Sequence, residues 1–394
     1  TPSGKMFYMS RLDFDVAIIG GGPTGCVLAL LLARYCAHPD RIVLLQSGTS
    51  SQYGHTPGND PRVLALNHGS RVLLESLDAW PSEAAQIQTI HVSQKGRLGH
   101  TVIRHEDFNV PQLGSVVRYA QLHQRLTQAV QASGVQIRAG LAAHVTMQDA
   151  DGVSIVQDGQ LLRAGLAVQA DGNPNSPVQR EYAQVALLTR ARVSLPRKNW
   201  AFERFTDEGP LAVLPHPHAT DAQSIVWCCS PDRARSLQTL APQDFSAALS
   251  RMFGTRLGTF TVDGPVTPVP LKLNIRPNSV DGRCVAIGNA AQTLHPVAGQ
   301  GLNLGLRDTA ALSIALRDWL PDTHQDVTAA LEAFQRNRQP DRKLTAMLTD
   351  SMARTFTSGR SPVEHMAGIA LLGMDALPSL RAPLARHLLQ GLRR

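Results

Sequence analysis

The pattern of apolar and polar positions over the first fifty residues predicts a strand, a turn, a helix and a second strand. The uncharged run 16–19 is typical of a buried parallel strand, whose two faces are both apolar. A glycine-rich turn follows it, and the apolar run 26–33 predicts a helix. Residues 41–46 then predict the second strand. This order is typical of an α/β dinucleotide-binding fold.

The pattern changes twice further along the chain. Helical apolar spacing at 121–130 is followed by strand-like runs at 135–138, 153–157 and 166–169. Short β-like segments with many prolines and turn residues then fill residues 185–270 and predict a separate antiparallel sheet. A buried strand, a glycine loop and a long helix return after residue 283, and the chain is predicted to be helical from 326 onwards.

The first turn has the Gly-x-Gly-x-x-Gly spacing of a nucleotide site. Gly20 permits the tight turn, Gly22 lets the backbone approach a pyrophosphate, and Gly25 lets the helix pack against the strand. The pyrophosphate would lie at the N-terminus of the helix, where free N–H groups and the helix dipole favour anions. An ordinary glycine-rich turn in an α/β protein is the alternative.

The same stretch also has features of a membrane span, because residues 16–33 are almost uncharged and about as long as a span requires. Three consecutive glycines and Pro23 argue against a span, since they interrupt the helix where it must be continuous. Asp13 and Asp15 precede the apolar run and argue against a secretory signal.

Composition limits the class of protein. A chain of 394 residues with 43% hydrophobic and 18% charged residues predicts a soluble protein of about two domains. The net charge of +7 could attract a phosphate-bearing cofactor, an acidic partner or an anionic membrane, whereas no basic block or zinc-finger spacing supports nucleic acid. The five cysteines are odd in number and form no C-x-x-C pair, so we expect neither disulfides nor a metal site, and a reducing cytoplasmic location.

Three separated motifs together resemble one family. They are the first glycine turn, the Ala-Asp-Gly sequence at 170–172, and the stretch 288–301, which reads Gly-Asn-Ala-Ala-Gln-Thr-Leu-His-Pro-Val-Ala-Gly-Gln-Gly. In that order they resemble class A flavoprotein monooxygenases with the p-hydroxybenzoate hydroxylase fold. Residues 203–212 and 294–308 further resemble the hydroxylases of ubiquinone biosynthesis, in particular the 2-polyprenyl-6-methoxyphenol hydroxylases.

The resemblance implies a mixed α/β fold. A Rossmann-like FAD-binding domain would be combined with an antiparallel β-sheet substrate domain and a helical C-terminal region. The FAD-binding domain would comprise 13–75, 105–182 and 276–345, the substrate domain would comprise 76–104 and 183–275, and the C-terminal region would be 346–394.

The resemblance also implies FAD in an extended form, with its ADP half on the first glycine turn and its isoalloxazine at the domain interface. Pro296 would border the flavin face on which oxygen reacts, with no side-chain base, and His295 would be structural. Backbone donors from the second glycine loop would face the flavin pyrimidine ring, where negative charge develops on reduction. The implied cofactor-binding residues are Gly20, Gly22, Pro23, Thr24, Gly25, Gln46, Arg62, Arg118, Gln121, Asp171, Gly288, Asn289, Pro296, Gly299, Gln300, Gly301, Leu302 and Asn303.

The chain departs from the family pattern at two of these positions. The family usually has an acidic residue where Gln46 stands, at the adenosine ribose, and an Asp where Asn289 stands. Both changes replace a carboxylate by an amide, and each should weaken a charge-assisted hydrogen bond by ~1 kcal/mol. We therefore expect weaker FAD binding than in the family.

The implied activity is hydroxylation of an aromatic ring with NAD(P)H and O2 through a flavin C4a-hydroperoxide. NAD(P)H would dock transiently, because the chain has no second Gly-x-Gly-x-x-Gly. The narrower resemblance implies a prenylated phenol of ubiquinone biosynthesis as the substrate. The alternatives are a soluble aromatic substrate and a degenerate flavoprotein that acts as a scaffold.

The C-terminal stretch 371–394 leaves two interpretations open. Its helical apolar spacing and arginines could place it on the inner face of an anionic membrane or against a biosynthetic complex. Pro378 and Pro383 interrupt that pattern and favour ordinary packing.

Overall fold

A computed structural model describes residues 12–48, 62–97, 99–172, 180–296 and 299–355, together with residues 375, 386 and 387. For 180–182 and 353–355 it describes the backbone alone. The C-terminal stretch 371–394 lies almost entirely outside the described residues.

The first sheet contains eight strands in the order β18-β19-β11-β1-β2-β8, with β10 and β9 added beside β11. β1 lies between β11 and β2, and both pairings are parallel. Apolar side chains pack on both faces of this sheet, as the uncharged run 16–19 predicted. The strands are β1 (Phe14–Ile19), β2 (Ile42–Ser47), β8 (Gln136–Gly140), β9 (His144–Gln148), β10 (Val153–Gln157), β11 (Gln160–Gln169), β18 (Val280–Asp281) and β19 (Cys284–Ala286).

The second sheet contains nine strands in the order β20-β17-β12-β15-β14-β13-β5-β6, with β16 beside β12. The expected antiparallel pattern holds except for β5 and β13, which pair in parallel. Parallel neighbours need a long connection, and the chain between these two strands passes through the first sheet. The strands are β5 (Thr89–Gln94), β6 (His100–Arg104), β12 (Arg180–Val193), β13 (Trp200–Phe205), β14 (Pro210–Pro215), β15 (Ala222–Cys229), β16 (Phe260–Val262), β17 (Thr267–Ile275) and β20 (Gln292–Thr293).

A small sheet and the helices complete the fold. β3 (Val63–Asn67), β7 (Gly114–Arg118) and β4 (Ala85–Ile87) form a three-stranded antiparallel sheet. The helices are α1 (Pro23–Ala33), α2 (His68–Ser76), α3 (Tyr119–Ala132), α4 (Pro231–Gln238), α5 (Pro242–Phe253), α6 (Gln300–Leu316) and α7 (Thr328–Thr355). Helices α1, α3 and α6 contribute to the largest core, together with one face of the first sheet. Helices α4 and α5 pack on the second sheet.

Two expectations about the whole chain can be examined in the described residues. None of the helices found there is long and apolar enough to cross a lipid bilayer. The cysteines there are all free thiols, and the described residues contain no metal-binding group of three or more His, Cys, Asp or Glu.

Candidate functional site

A cavity of about 660 Å³ extends from the first glycine turn to the second sheet. It brings together residues from the start, the middle and the end of the chain. Fourteen of the predicted cofactor-binding residues line it: Gly20, Gly22, Pro23, Thr24, Gln46, Arg62, Asp171, Asn289, Pro296, Gly299, Gln300, Gly301, Leu302 and Asn303.

The first glycine turn has the geometry that its spacing predicts. Gly20 has a φ of +116°, and a Cβ there would lie 2.5 Å from the Ala170 backbone. A Cβ on Gly25 would collide with the Gly20 carbonyl oxygen, so this glycine lets α1 pack against the turn. A Cβ on Gly22 would meet no heavy atom within 4 Å. The open space at Gly22 lies at the N-terminus of α1, where an anion can approach the backbone.

Gln46 lies over this turn from the end of β2. Its side chain occupies the space that a Cβ on Gly21 would need. The Gln46 Nε2 is buried and has no hydrogen-bond partner among the described residues. A buried donor of this kind normally has a partner, so a ligand group in the cavity would satisfy it.

Arg62, Tyr119 and His123 form a stacked series along the same end of the cavity. The Arg62 guanidinium lies 4.7 Å from the centre of the Tyr119 ring. Tyr119 stacks on His123, which lies one turn later on α3, with ring centres 5.9 Å apart. The His123 Nε2 donates to the Gly21 carbonyl over 3.0 Å. Tyr119 and His123 were missed in the sequence, because an aromatic residue and a histidine one helical turn apart are also typical of ordinary packing.

The second glycine loop ends in α6, whose N-terminus faces the cavity. Gly299 precedes this helix in the left-handed region, with a φ of +59°. A Cβ on Gly301 would meet no heavy atom within 4 Å, so the backbone is open towards the cavity here as it is at Gly22. The N-terminus of α6 thus provides a second set of backbone N–H groups and a helix dipole that can stabilise negative charge.

The side chain of Asn303 holds this loop in place. Its Nδ2 donates to the carbonyls of Ala65 and Gly299, and its Oδ1 accepts from the Asn67 backbone N–H and the Ser70 hydroxyl. Asn303 is buried, and three of its four hydrogen bonds join the start of α6 to β3 and α2. The sequence predicted Asn303 as a backbone contact and did not predict this role of its side chain.

Gly288 and Asn289 lie where the first and second glycine loops meet. Asn289 lines the cavity, whereas Gly288 packs beneath it against Thr24 and Gly305. A Cβ on Gly288 would lie 2.9 Å from the Thr24 hydroxyl. This glycine therefore allows α1 and α6 to converge at one end of the cavity.

The structure does not bring Arg118 and Gln121 to the cavity. Both side chains bind the exposed carboxylate of Glu83, over 2.7 Å and 3.0 Å. Neither Arg118 nor Gln121 lines the cavity, and Glu83 does not line it either. Their predicted contact with the cofactor stays a prediction.

His295 and Pro296 line the cavity between the two glycine loops and the second sheet. His295 is buried, and its Nε2 donates to the Gln184 Oε1 over 3.1 Å. Burial lowers the pKa of His295 to about 4, so the ring is neutral at pH 7. This contact and the neutral ring agree with a structural role for His295.

The far wall of the cavity consists of one face of the second sheet. It is predominantly apolar and includes Ile90, Ile103, Leu188, Leu214 and Val226. Glu203 is the one acidic residue among the described residues of this sheet that line the cavity. The sequence did not identify this wall, because the residues that form it come from seven strands.

These features fit an extended dinucleotide cofactor. Two helix N-termini open towards one cavity at Gly22 and Gly301, where side chains would otherwise intrude. The Gln46 Nε2 is a buried donor that a ribose hydroxyl could satisfy. The residues present therefore fit FAD.

Comparisons with known proteins agree with this fit. Residues 13–347 match the model of a family described as FAD binding domain. The chain is 30% identical over 390 residues to ubiquinone hydroxylase UbiL of Rhodospirillum rubrum, covering 95% of this chain and 89% of that protein. It is 27% identical over 409 residues to 3-demethoxyubiquinol 3-hydroxylase of Escherichia coli, covering 97% and 100%.

Solved structures show the same fold. The p-nitrophenol 4-monooxygenase PnpA from Pseudomonas putida superposes with a TM-score of 0.73 at 15% identity, covering 97% of this chain and 99% of that one. PqsL of Pseudomonas aeruginosa, in complex with 2-aminobenzoylacetate, superposes with a TM-score of 0.72 at 18% identity, covering 91% and 99%. The predicted mixed α/β fold class is confirmed.

Proposed function

The chain belongs to the FAD binding domain family and is an FAD-dependent aromatic monooxygenase, and from this premise we propose that its substrate is a phenolic precursor of ubiquinone with a polyprenyl tail. The relatives named above are ubiquinone hydroxylases and match nearly the whole chain. NAD(P)H as electron donor and O2 as co-substrate are consistent with this class.

FAD supplies the redox chemistry when it is bound, and the protein supplies position, dipoles and exclusion of water. The turn at Gly20 to Gly25 would hold the pyrophosphate at the N-terminus of α1. The backbone from Gly299 to Asn303 would donate to the flavin end at the N-terminus of α6, where negative charge develops on reduction. Asn303 fixes that backbone through its four hydrogen bonds, so little reorganisation is needed during the reaction.

The apolar wall of the second sheet is the observation that carries the proposed substrate. The cavity continues from the second glycine loop across Ile90, Leu188, Leu214 and Val226, and Met352 also lines it. Such a surface favours a hydrocarbon chain, since each buried methylene contributes about 0.8 kcal/mol. A soluble phenol without a tail would leave much of this wall without a partner.

A peripheral membrane contact through 371–394 is part of the proposal. The net charge of +7 and the arginines of this stretch support attraction to anionic lipid, where a polyprenyl substrate dissolves. Removal of 376–394 should reduce binding to vesicles of phosphatidylcholine and phosphatidylglycerol. Unchanged vesicle binding would contradict the membrane contact.

We also propose the division of the chain that the sequence suggests. The FAD-binding domain would comprise 13–75, 105–182 and 276–345, the substrate domain 76–104 and 183–275, and the C-terminal region 346–394. The sheet topology supports it, because β5 and β6 join the second sheet, whereas β8 to β11 join the first.

The substrate proposal is tested with two phenols that differ in their tails. The protein, purified with FAD, is assayed for oxidation of NADH and NADPH with phenol or with a 2-polyprenylphenol of three isoprene units. We expect a KM at least tenfold lower for the tailed compound, because its methylenes are buried on binding. Equal KM values would favour a soluble aromatic substrate, and a protein that cannot be reconstituted with FAD would favour a scaffold.

A further inference from the structure

The face of the second sheet that lines the cavity is organised in rows across the strands. In one row Thr101 pairs with Val92 and Val92 pairs with Glu203, from β6 through β5 to β13. The row continues from Glu203 to Ala212 and Val226, on β14 and β15. All five residues line the cavity.

A second row on the same face is fully apolar. Ile103 pairs with Ile90, and Ile90 pairs with Ala201, two residues before Glu203 on β13. Leu214 lies two residues after Ala212 on β14 and therefore projects from the same face. The two cross-strand neighbours of Glu203 in these rows, Val92 and Ala212, have apolar side chains.

The register of β13 determines which face of the second sheet carries the Glu203 side chain. A shift of the β13 register by one residue would move its side chain to the opposite face, where α4 and α5 pack. Glu203 instead lies on the cavity face, half-buried, with the small side chain of Ala212 directly beside it. Space above a small neighbour lets a planar ring approach the carboxylate.

We propose that Glu203 is a catalytic residue that accepts a hydrogen bond from the ring hydroxyl of the phenolic substrate. This inference rests on the proposed function, and it assigns the group that recognises the substrate's polar end. The apolar rows contact the ring and tail, while the carboxylate takes the O–H. A hydrogen bond to a charged acceptor is about twice as strong as a neutral one, so it fixes the orientation of the ring.

The same contact assists the chemistry. As the O–H donates to Glu203, electron density shifts from the hydroxyl oxygen into the ring, at the carbons ortho and para to it. These carbons are the ones that attack an electrophilic oxygen. The hydroxyl proton stays between the phenol oxygen and the Glu203 carboxylate. The hydrogen on the attacked carbon leaves as a proton when the ring regains aromaticity, and the O2 and NAD(P)H of the monooxygenase reaction supply the oxygen atom and the two electrons.

The experiment compares 2-prenylphenol with its O-methyl ether, which has no hydroxyl proton to donate. The dissociation constant of each is measured from the absorbance change of FAD bound to the full chain. We expect the wild-type protein to prefer the phenol at least tenfold, and Glu203→Gln to reduce that preference to about twofold. The added methyl group affects both proteins equally, so the change in preference reports the hydrogen bond.

Two further variants test whether the change in preference is specific to the carboxylate of Glu203. Glu203→Asp keeps the charge and should restore part of the preference. Glu208→Gln makes the same chemical change outside the cavity, where Glu208 binds Arg233, and should keep the full preference. Hydroxylated product per NAD(P)H oxidised should fall in Glu203→Gln while FAD content stays unchanged.

The outcomes separate this inference from the proposed function. A wild-type preference for the phenol that persists in Glu203→Gln would overturn the role of Glu203 and leave the proposed function standing. A wild-type protein that neither prefers the phenol nor oxidises NAD(P)H with it would overturn both. If Glu203→Gln does not fold, Glu203→Asp provides the test. A preference for the phenol below the wild-type value would support the role of Glu203, and an unaltered preference would contradict it.

Discussion

Two glycines three residues apart have opposite surroundings in the first turn. A Cβ on Gly25 collides with the Gly20 carbonyl oxygen, whereas a Cβ on Gly22 meets no atom within 4 Å. The two glycines of the motif are therefore small for different reasons. Gly25 is needed for α1 to pack, and we expect Gly22 to be needed for the cofactor to approach.

We expect Gly22→Ala and Gly25→Ala to differ in what they impair. Gly22→Ala should keep the melting temperature of the apoprotein and weaken FAD binding at least tenfold, because the methyl group occupies pyrophosphate space. Gly25→Ala should lower the free energy of unfolding by about 1–3 kcal/mol through overpacking. Thermal melting without FAD and titration with FAD measure the two effects. Equal loss of stability in both variants would contradict the division.

We expect Gln46 to be the weak point of the cofactor site at the first glycine turn. Its Nε2 is buried without a hydrogen-bond partner in the described part of the chain. Gln46→Glu should lower the dissociation constant of FAD about fivefold, because a charged acceptor strengthens a hydrogen bond to ribose by about 1 kcal/mol. Quenching of flavin fluorescence on titration of the apoprotein measures this. Weaker FAD binding would show that the amide is the better partner here.

At the scale of elements, a buried ionic network joins α6 to α7. Arg338 on α7 donates to Asp308 on α6 over 2.8 Å and binds Asp341 over 2.7 Å. Asp341 also binds Arg307, and Asp308 accepts from Gln292 on β20. The network therefore braces the helix whose N-terminus faces the flavin end of the cavity.

We expect Arg338→Leu to reduce the free energy of unfolding by about 3–5 kcal/mol, because it removes the cation that pairs with the buried carboxylate of Asp308 and leaves the buried Asp341 with Arg307 as its arginine partner. The matched control is Arg336→Leu on the same helix, where the Arg336–Glu332 pair is exposed and contributes less than about 1 kcal/mol. Urea denaturation of both variants compares them directly. Similar losses in the two variants would contradict the role of the network.

The elements differ in how far the sequence could predict them. β1, α1 and β2 follow from apolar runs and glycine spacing, because their pattern is local. The pairing of β5 with β13 joins residues more than one hundred positions apart, and no local pattern specifies that register. Glu203 and the apolar wall were missed for this reason. The hydrogen bonds of Asn303 were missed because they join segments more than 230 residues apart in sequence.

At the scale of the whole molecule, two buried histidines and one half-buried histidine link stability to pH. Burial lowers the pKa of His91, His216 and His295 to about 4 each. The unfolded chain binds protons at these residues from about pH 6.5 downwards, and the folded protein does not until about pH 4. The free energy that these three neutral histidines contribute to stability is therefore fully present above pH 6.5. It is lost progressively as the pH falls towards 4.

The melting temperature should accordingly fall between pH 6.5 and pH 4. His295→Gln removes one of the three groups and should make this fall shallower, because one proton fewer is taken up on unfolding. Calorimetry across this pH range measures the slope. An equally steep fall in His295→Gln would contradict the buried neutral state of His295.

We propose that FAD and a phenol bind in one cavity, where an oxygen atom from O2 is inserted into the ring. Mass spectrometry of the product formed from 2-prenylphenol, NAD(P)H and ¹⁸O2 by the protein loaded with FAD tests this directly. We expect a ring-hydroxylated product that carries one ¹⁸O atom. Oxidation of NAD(P)H that yields only hydrogen peroxide, with no labelled product from phenols with or without a tail, would contradict it.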